Sequence, residues 1–164
     1  MHDRQYTRVD TIRNYLDDML KGLEDKEEAR NGYVHLYGVG QAASMIALKR
    51  GHSRAVAELA TIAGMLHDWC KYERDIDDDH AHISAEDARA VLEKAGNFTV
   101  EEMDMIESAI YKHSDKSVVD SDFDEILKDA DTIQHYLRNP MEDFWLTKKR
   151  IKALLQEFGL CDGR

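Results

Sequence analysis

Three features of the sequence predict an all-α fold: apolar residues recur at three- and four-residue steps along most of the chain, 164 residues hold a single proline, and 43% of them are hydrophobic. At this length one domain with one substantial core is the expected organisation. No internal repeat, low-complexity tract or linker divides the chain.

The periodicity starts at Thr7. Val9, Ile12, Leu16, Met19, Leu20 and Leu23 form the stripe of a packing helix that ends near Gly22. The charged stretch from Glu24 to Asn31 reads as a solvated connection closed by Gly32. Tyr33 to Arg50 places Val39, Ala42, Ala43, Ile46 and Ala47 at helical spacing with Gly51 as a stop, and puts His35 in the first turn. Ser53 caps a third helix that runs through Ala57 and Leu59 to Met65, Leu66 and Trp69; it is apolar on more than one face, as a central helix must be. His67, Asp68 and Lys71 stand at its end.

Lys71 to His82 has no hydrophobic period and holds Asp75, Asp77, Asp78, Asp79, His80 and His82, so it reads as a loop. Ser84 then resembles an N-cap, with Glu86 and Asp87 in the first turn of a helix that carries Ala88, Val91 and Leu92 to Gly96. Thr99 caps the next, to about His113, on Met103, Ile106 and Ile110. A polar stretch leads into a helix from Phe123 to Leu137, and Pro140 separates it from a last helix over 141–158. Phe144 and Trp145 of that helix are assigned to the core in preference to a dimer interface. The count is six or seven helices.

A formal net charge of −11 argues against a nucleic-acid polymer as partner, because phosphate backbones are bound by clustered Lys and Arg. A small phosphorylated ligand stays compatible if metal ions or local cations reverse the field. Cys70 and Cys161 make no disulfide framework and fit a reducing compartment. The N-terminal MHDRQYTRVD lacks the apolar run of a signal peptide, and no later run is long enough to span a membrane. The expectation is a cytoplasmic protein without membrane contact.

Metal-ligand side chains fall near helix ends or in loops at His35, His67 with Asp68, His80 or His82, His113, and Asp131. Imidazoles with carboxylates suit Fe, Mn, Zn, Co or Ni, and the set contains no thiolate. Each residue also has a structural alternative. A lone His on an apolar helix often packs and hydrogen-bonds, and Asp131, between Leu127, Ala130 and Ile133, fits a helix-face acid. Asp77 to Asp79 is solvated charge without the ligand pattern of a calcium loop. With eight His and twenty Asp, chance alone yields about one His-Asp pair, and His2-Asp3 is such a pair. Neighbours on a helix point roughly 100° apart, so His67 and Asp68 converge only on an ion beside the helix end. Asp68 could then give one oxygen to each of two ions about 3.5 to 4 Å apart, as a two-metal hydrolytic centre requires.

The order His35, His67-Asp68, Asp131 in an Ala-Asp-x-Ile setting, with Gly64-Met65-Leu66 before the pair, resembles the HD-domain superfamily of metal-dependent phosphohydrolases. His80-Ala81-His82-Ile83-Ser84-Ala85 is similar to the His-x-x-x-(Gly/Ser)-Ala element of its two-metal branch, and Ile110-Tyr111-Lys112-His113 to its Ile-x-x-His element. His67-Asp68-Trp69-Cys70-Lys71 resembles the His-Asp-x-x-Lys motif of a branch that includes bacterial hydrolases of dinucleoside polyphosphates. The resemblance implies one all-helical domain over 1–164, its motif-bearing core at about 33–138, flanked by packing helices at 7–23 and 141–158. It implies one or two divalent transition ions held by His35, His67, Asp68, His80, His113 and Asp131, with His82 the alternative to His80. Asp68 and Lys71 would be catalytic, and Lys71, Arg74 and Lys112, with Lys116 nearby, would attract substrate phosphate. A lysine just past a helix C-terminus also favours the helix dipole whatever its function.

The expected function is hydrolysis of a phosphoester or phosphoanhydride in a nucleotide or other small phosphorylated metabolite. A homodimer is compatible with the sequence, and no other protein partner is expected. Two other readings remain open on the same residues: a nucleotide- or metal-binding sensor without turnover, and a di-iron oxygenase-like enzyme.

Overall fold

Side-chain caps decide where most of the helices begin. The computed structural model describes residues 6–160, and within them nine helices and no strand: α1 (Arg8–Gly22), α2 (Lys26–Lys49), α3 (Arg54–Leu66), α4 (Trp69–Arg74), α5 (His80–Ala95), α6 (Val100–Lys112), α7 (Asp122–Arg138), α8 (Asp143–Leu146) and α9 (Lys149–Glu157). Cys161 and the His2-Asp3 pair lie outside the described residues. Thr7, Thr99 and Ser121 each close a capping box, with Asp10, Glu102 and Asp124 reaching back to the cap's own N–H. Ser53 caps α3 from its hydroxyl.

Several expectations change, and with them the number of helices, expected as six or seven and found to be nine among the described residues. The charged stretch 24–31 is mostly helix: Asp25 accepts from the N–H groups of Glu27 and Glu28, and α2 starts at Lys26. Lys, Glu, Ala and Arg are strong helix formers, so a charge run without apolar period was the exposed face of a helix. His35 is therefore well inside α2, in its third turn. The expected loop over 71–82 shrinks to 75–79, because α4 runs to Arg74 and α5 starts at His80. Asp75 (φ 55°) and Asp79 (φ 58°) make the two turns in left-handed backbone, which Asp tolerates better than most residues. Ser84 is consequently no cap; it is buried inside α5. The helix expected over 141–158 is two, and Phe144 stands 58% exposed, outside the core, while Trp145 only packs against it. The core contribution of this segment comes from Ile151, Leu154 and Leu155 on α9.

Packed against α1, α2, α5, α6 and α7, α3 is the central helix. It buries Leu59, Ile62, Met65 and Leu66 to 3% exposure or less. Truncating any of these to Ala costs about 2–5 kcal/mol. The helix crosses α2 in backbone contact at two glycines. A Cβ on Gly64 would stand 2.6 Å from the N and Cα of Gly40, so neither position accepts a side chain without separating the helices. That approach brings the end of α3 beside the middle of α2, where His35 is. No helix among the described residues is long and apolar enough to cross a membrane.

Candidate metal centre

The backbone resolves the angular problem of the adjacent His67 and Asp68. His67 keeps helical dihedrals as the C-cap of α3 (φ −62°, ψ −31°), whereas Asp68 turns into the sparsely populated bridge region (φ −116°, ψ 25°) before α4 begins. The two side chains thus leave a break between helices and reach the same point.

His35 from α2, His113 at the end of α6, Asp131 from α7 and His80 at the start of α5 meet them there. All four imidazoles are oriented alike through Nδ1. His67 Nδ1 lies 2.7 Å from the carbonyl of Gly64, His113 Nδ1 2.7 Å from that of Ile110, and His80 Nδ1 2.7 Å from that of Asp77. His35 Nδ1 lies 2.7 Å from Gln134 Oε1, whose amide nitrogen donates to Val34 O. A carbonyl oxygen accepts only, so each Nδ1 carries the proton and each Nε2 lone pair points inward. This is the outer-shell arrangement by which ligand histidines are held.

The inner atoms fall into two groups around Asp68. Oδ2 lies 3.4 Å from His35 Nε2 and 3.5 Å from His67 Nε2; Oδ1 lies 3.3 Å from His113 Nε2 and 3.5 Å from His80 Nε2. Asp131 Oδ1 closes the first group at 3.6 Å from His35 Nε2 and 3.7 Å from His67 Nε2. Its other oxygen accepts from Lys116 Nζ at 2.7 Å, and Lys116 donates as well to His113 O. Ligand-capable atoms of His35, His67 and Asp131, and again of His67, Asp68 and His113, lie within 4.8 Å of one another.

Two features of this donor set fit a cation. His35 Nε2 and His67 Nε2 are 3.2 Å apart with lone pairs facing, and Asp68 Oδ1 is buried without a hydrogen-bond partner among the described residues. One proton on His35 would relieve the first contact but not the second; divalent ions relieve both. The acid–base balance agrees. Burial opposes ionisation of Asp68, yet His67, His113 and His35 outweigh it and hold the carboxyl well below the usual range. Asp131, likewise penalised by burial, is held low by His135, His67 and Lys116. Burial lowers the affinity of His67 for a proton, which favours the neutral form that binds metal. His35 is also opposed by burial, but Asp68 and Asp131 raise it.

A cleft of about 250 Å³ opens onto the centre, lined among others by His35, Asp68, Lys71, Tyr72, His135 and Arg138. Lys71 Nζ stands 3.6 Å from Asp68 Oδ2 and 3.5 Å from Asp77 Oδ1. Burial lowers the affinity of its amine for a proton, and Asp68 and Asp77 more than restore it, so it is a cation at the cleft edge.

Not every sequence candidate reaches this place. His82 points outward, bonded to Asp79 and stacked on Tyr111 at 3.8 Å; between the two neighbouring histidines, the structure brings His80 to the centre. Arg74 is paired with Asp87, and Lys112 with Asp124 at 2.9 Å; neither lines the cleft. Cys70 is buried, with its N–H on Ser84 Oγ and its Sγ 3.4 Å from His80 O. Among the neighbours that had no place in the sequence reading are Gln134, Tyr72, Arg138 and His135, whose Nε2 is 3.3 Å from Asp131 Oδ1. Only His135 carried a signal, since it follows Asp131 by four residues on one helix.

Compared with models of known families, the chain matches the HD domain over residues 32–135, more than half its length. No curated protein and no solved structure matches it.

Proposed function

The chain belongs to the HD-domain family, and on that premise we propose that it is a metal-dependent phosphohydrolase acting on a phosphoester or phosphoanhydride of a nucleotide or other small phosphorylated metabolite. The observation that carries this reading is the division of Asp68, one oxygen toward His35 and His67 and the other toward His80 and His113. His35, His67, Asp68 and Asp131 would hold one ion, and Asp68, His80 and His113 a second. Such ions bring a water toward neutral pKa and offset charge on phosphoryl oxygens.

The remaining work falls to this chain's own groups. Lys71, half-buried beside Asp68, holds a positive charge where phosphoryl oxygens would lie, and Arg138 adds a second on the cleft wall. Glu28, Asp75 and Asp77 on the same rim repel a bare phosphate, so productive entry depends on the cations. Lys116 keeps Asp131 turned, one oxygen inward and one outward.

The test is elemental analysis of the purified protein together with a screen of nucleoside monophosphates, cyclic nucleotides and dinucleoside polyphosphates under several divalent metals. Turnover should vanish on chelation and return with added metal. A chelated preparation that hydrolyses as fast as the loaded one overturns the reading, and a nucleotide that co-purifies unhydrolysed favours a sensor.

A further inference from the structure

A second cavity reaches the metal centre at Asp131. It is a groove of about 490 Å³, within the range of small-molecule sites. Asp131 and His135 line it on the side of the centre, and Trp145, stacked on His135, with Lys148, Lys149 and Arg150 completes the lining. In a chain of net charge −11, this concentration of cations is unusual and calls for a partner.

Some of these charges are already neutralised. Arg150 donates to Asp129 at 2.5 Å and Glu125 at 2.9 Å, and Lys116, also on the lining, is committed to Asp131. Lys148 and Lys149 are not: among the described residues neither has a carboxylate within ion-pair distance, and Lys148 Nζ rests 4.3 Å over the Phe144 ring. Beside them Trp145 offers apolar surface, held by a stack on His135 at 5.5 Å and by its indole N–H on Glu142. Two free ammonium groups next to an indole match a ligand that joins a polyanion to a flat aromatic group.

We propose that this groove binds the non-reacting part of a nucleoside polyphosphate, with Lys148 and Lys149 on phosphates beyond the reacting one and Trp145 against the base. The inference deepens the phosphohydrolase reading, on which it rests for the fate of the reacting phosphate alone. His135 lines both cavities, and Asp131 of the metal centre lines the groove, so a ligand reaching past His135 would occupy the groove and the metal centre at once.

The experiment is calorimetric titration of the metal-loaded full chain with a methylene-bridged, non-hydrolysable ATP analogue and with inorganic tripolyphosphate. Replacing Lys148→Ala and Lys149→Ala together should weaken the analogue about tenfold. The control pair Lys21→Ala and Lys94→Ala, which removes equal charge on α1 and α5, away from the groove, should retain wild-type affinity. Trp145→Leu should weaken the analogue several-fold and leave tripolyphosphate unmoved. Absence of binding to the wild type overturns the proposal, as does equal binding by the groove and control pairs. Groove-dependent binding without turnover of any phosphoester would sink the hydrolase reading and keep the groove; turnover with unmoved affinities would do the reverse.

Discussion

His35, His67 and Asp131 meet inside the core, whereas His80 closes the centre from its edge. The first three come from the interiors or ends of α2, α3 and α7, with side chains at most 8% exposed, and each is oriented by a second group: Gln134, the Gly64 carbonyl and Lys116. His80 is the first residue of α5, 22% exposed, and its Nδ1 depends on a carbonyl of the exposed Asp75–Asp79 turn. His113 stands between these cases, buried but on a helix end. A rigid, buried half and an edge half that can open locally is the lesson. Opening the first half means disrupting the α2–α3 crossing, while the second can open by local unfolding of one turn. On the two-ion reading proposed above, the first ion should therefore be tightly held and the second exchangeable.

Asp68 belongs to both halves, so Asp68→Ala is the change that should abolish the distinction. Turnover should fall by about 10³ or more, as expected when both ions and the charge between them are lost. Metal content should fall toward zero, with far-UV circular dichroism close to wild type. Retention of two ions by this variant would remove Asp68 from its bridging place.

Separating the halves requires His67→Ala beside His80→Ala. The first should lower both metal content and melting temperature, because it also leaves a cavity in the core and frees the Gly64 carbonyl. The second should remove one ion of two and leave the melting temperature of the chelated protein nearly unchanged. Equal losses in the two variants would show a single cooperative centre.

What the sequence could show of this follows from where each signal arises. Helical periodicity and caps place α3, α6 and α7 within a few residues, since apolar stripes and Thr or Ser caps are local. The start of α2 and the start of α5 were hidden. A charged run looks the same as loop or as solvated helix, and His80 to His82 gains helical structure from Ala81 packing inward, a tertiary effect. The ligand set was visible as His and Asp at helix ends, but the choice between His80 and His82 was not, since it depends on the left-handed turn at Asp79. Gln134 was invisible altogether: an uncharged residue that matters through one hydrogen bond has no compositional mark.

That residue gives the next test of the buried half. Gln134→Leu keeps the volume near His35 while removing its acceptor, so Nδ1 loses the partner that fixes the tautomer. Affinity for the tightly held ion should fall by about 10- to 100-fold, measured by competition with a chelator. Gly38 is part of this device, since a Cβ there would meet the Gln134 side chain at 3.0 Å. A wild-type affinity in Gln134→Leu would mean that the α2–α7 packing alone aims His35.

The smallest effect is expected at the joint that carries the edge half. Ser84 Oγ accepts from Cys70 N at 3.2 Å and lies 3.3 Å from Cys70 Sγ, and that sulfur faces the His80 carbonyl. This chain of contacts ties α5 to α4 one turn from His80. Ser84→Ala would leave the buried Cys70 N–H unpaired, at a cost of about 1 kcal/mol. Because the loss falls on the α4–α5 joint and touches no ligand of the core half, affinity for the exchangeable ion should drop a few-fold while the tight ion stays put. Two-step chelation kinetics read this directly: the fast phase should accelerate and the slow phase should not. Acceleration of both phases would mean that the joint supports the whole centre and that its halves do not open independently.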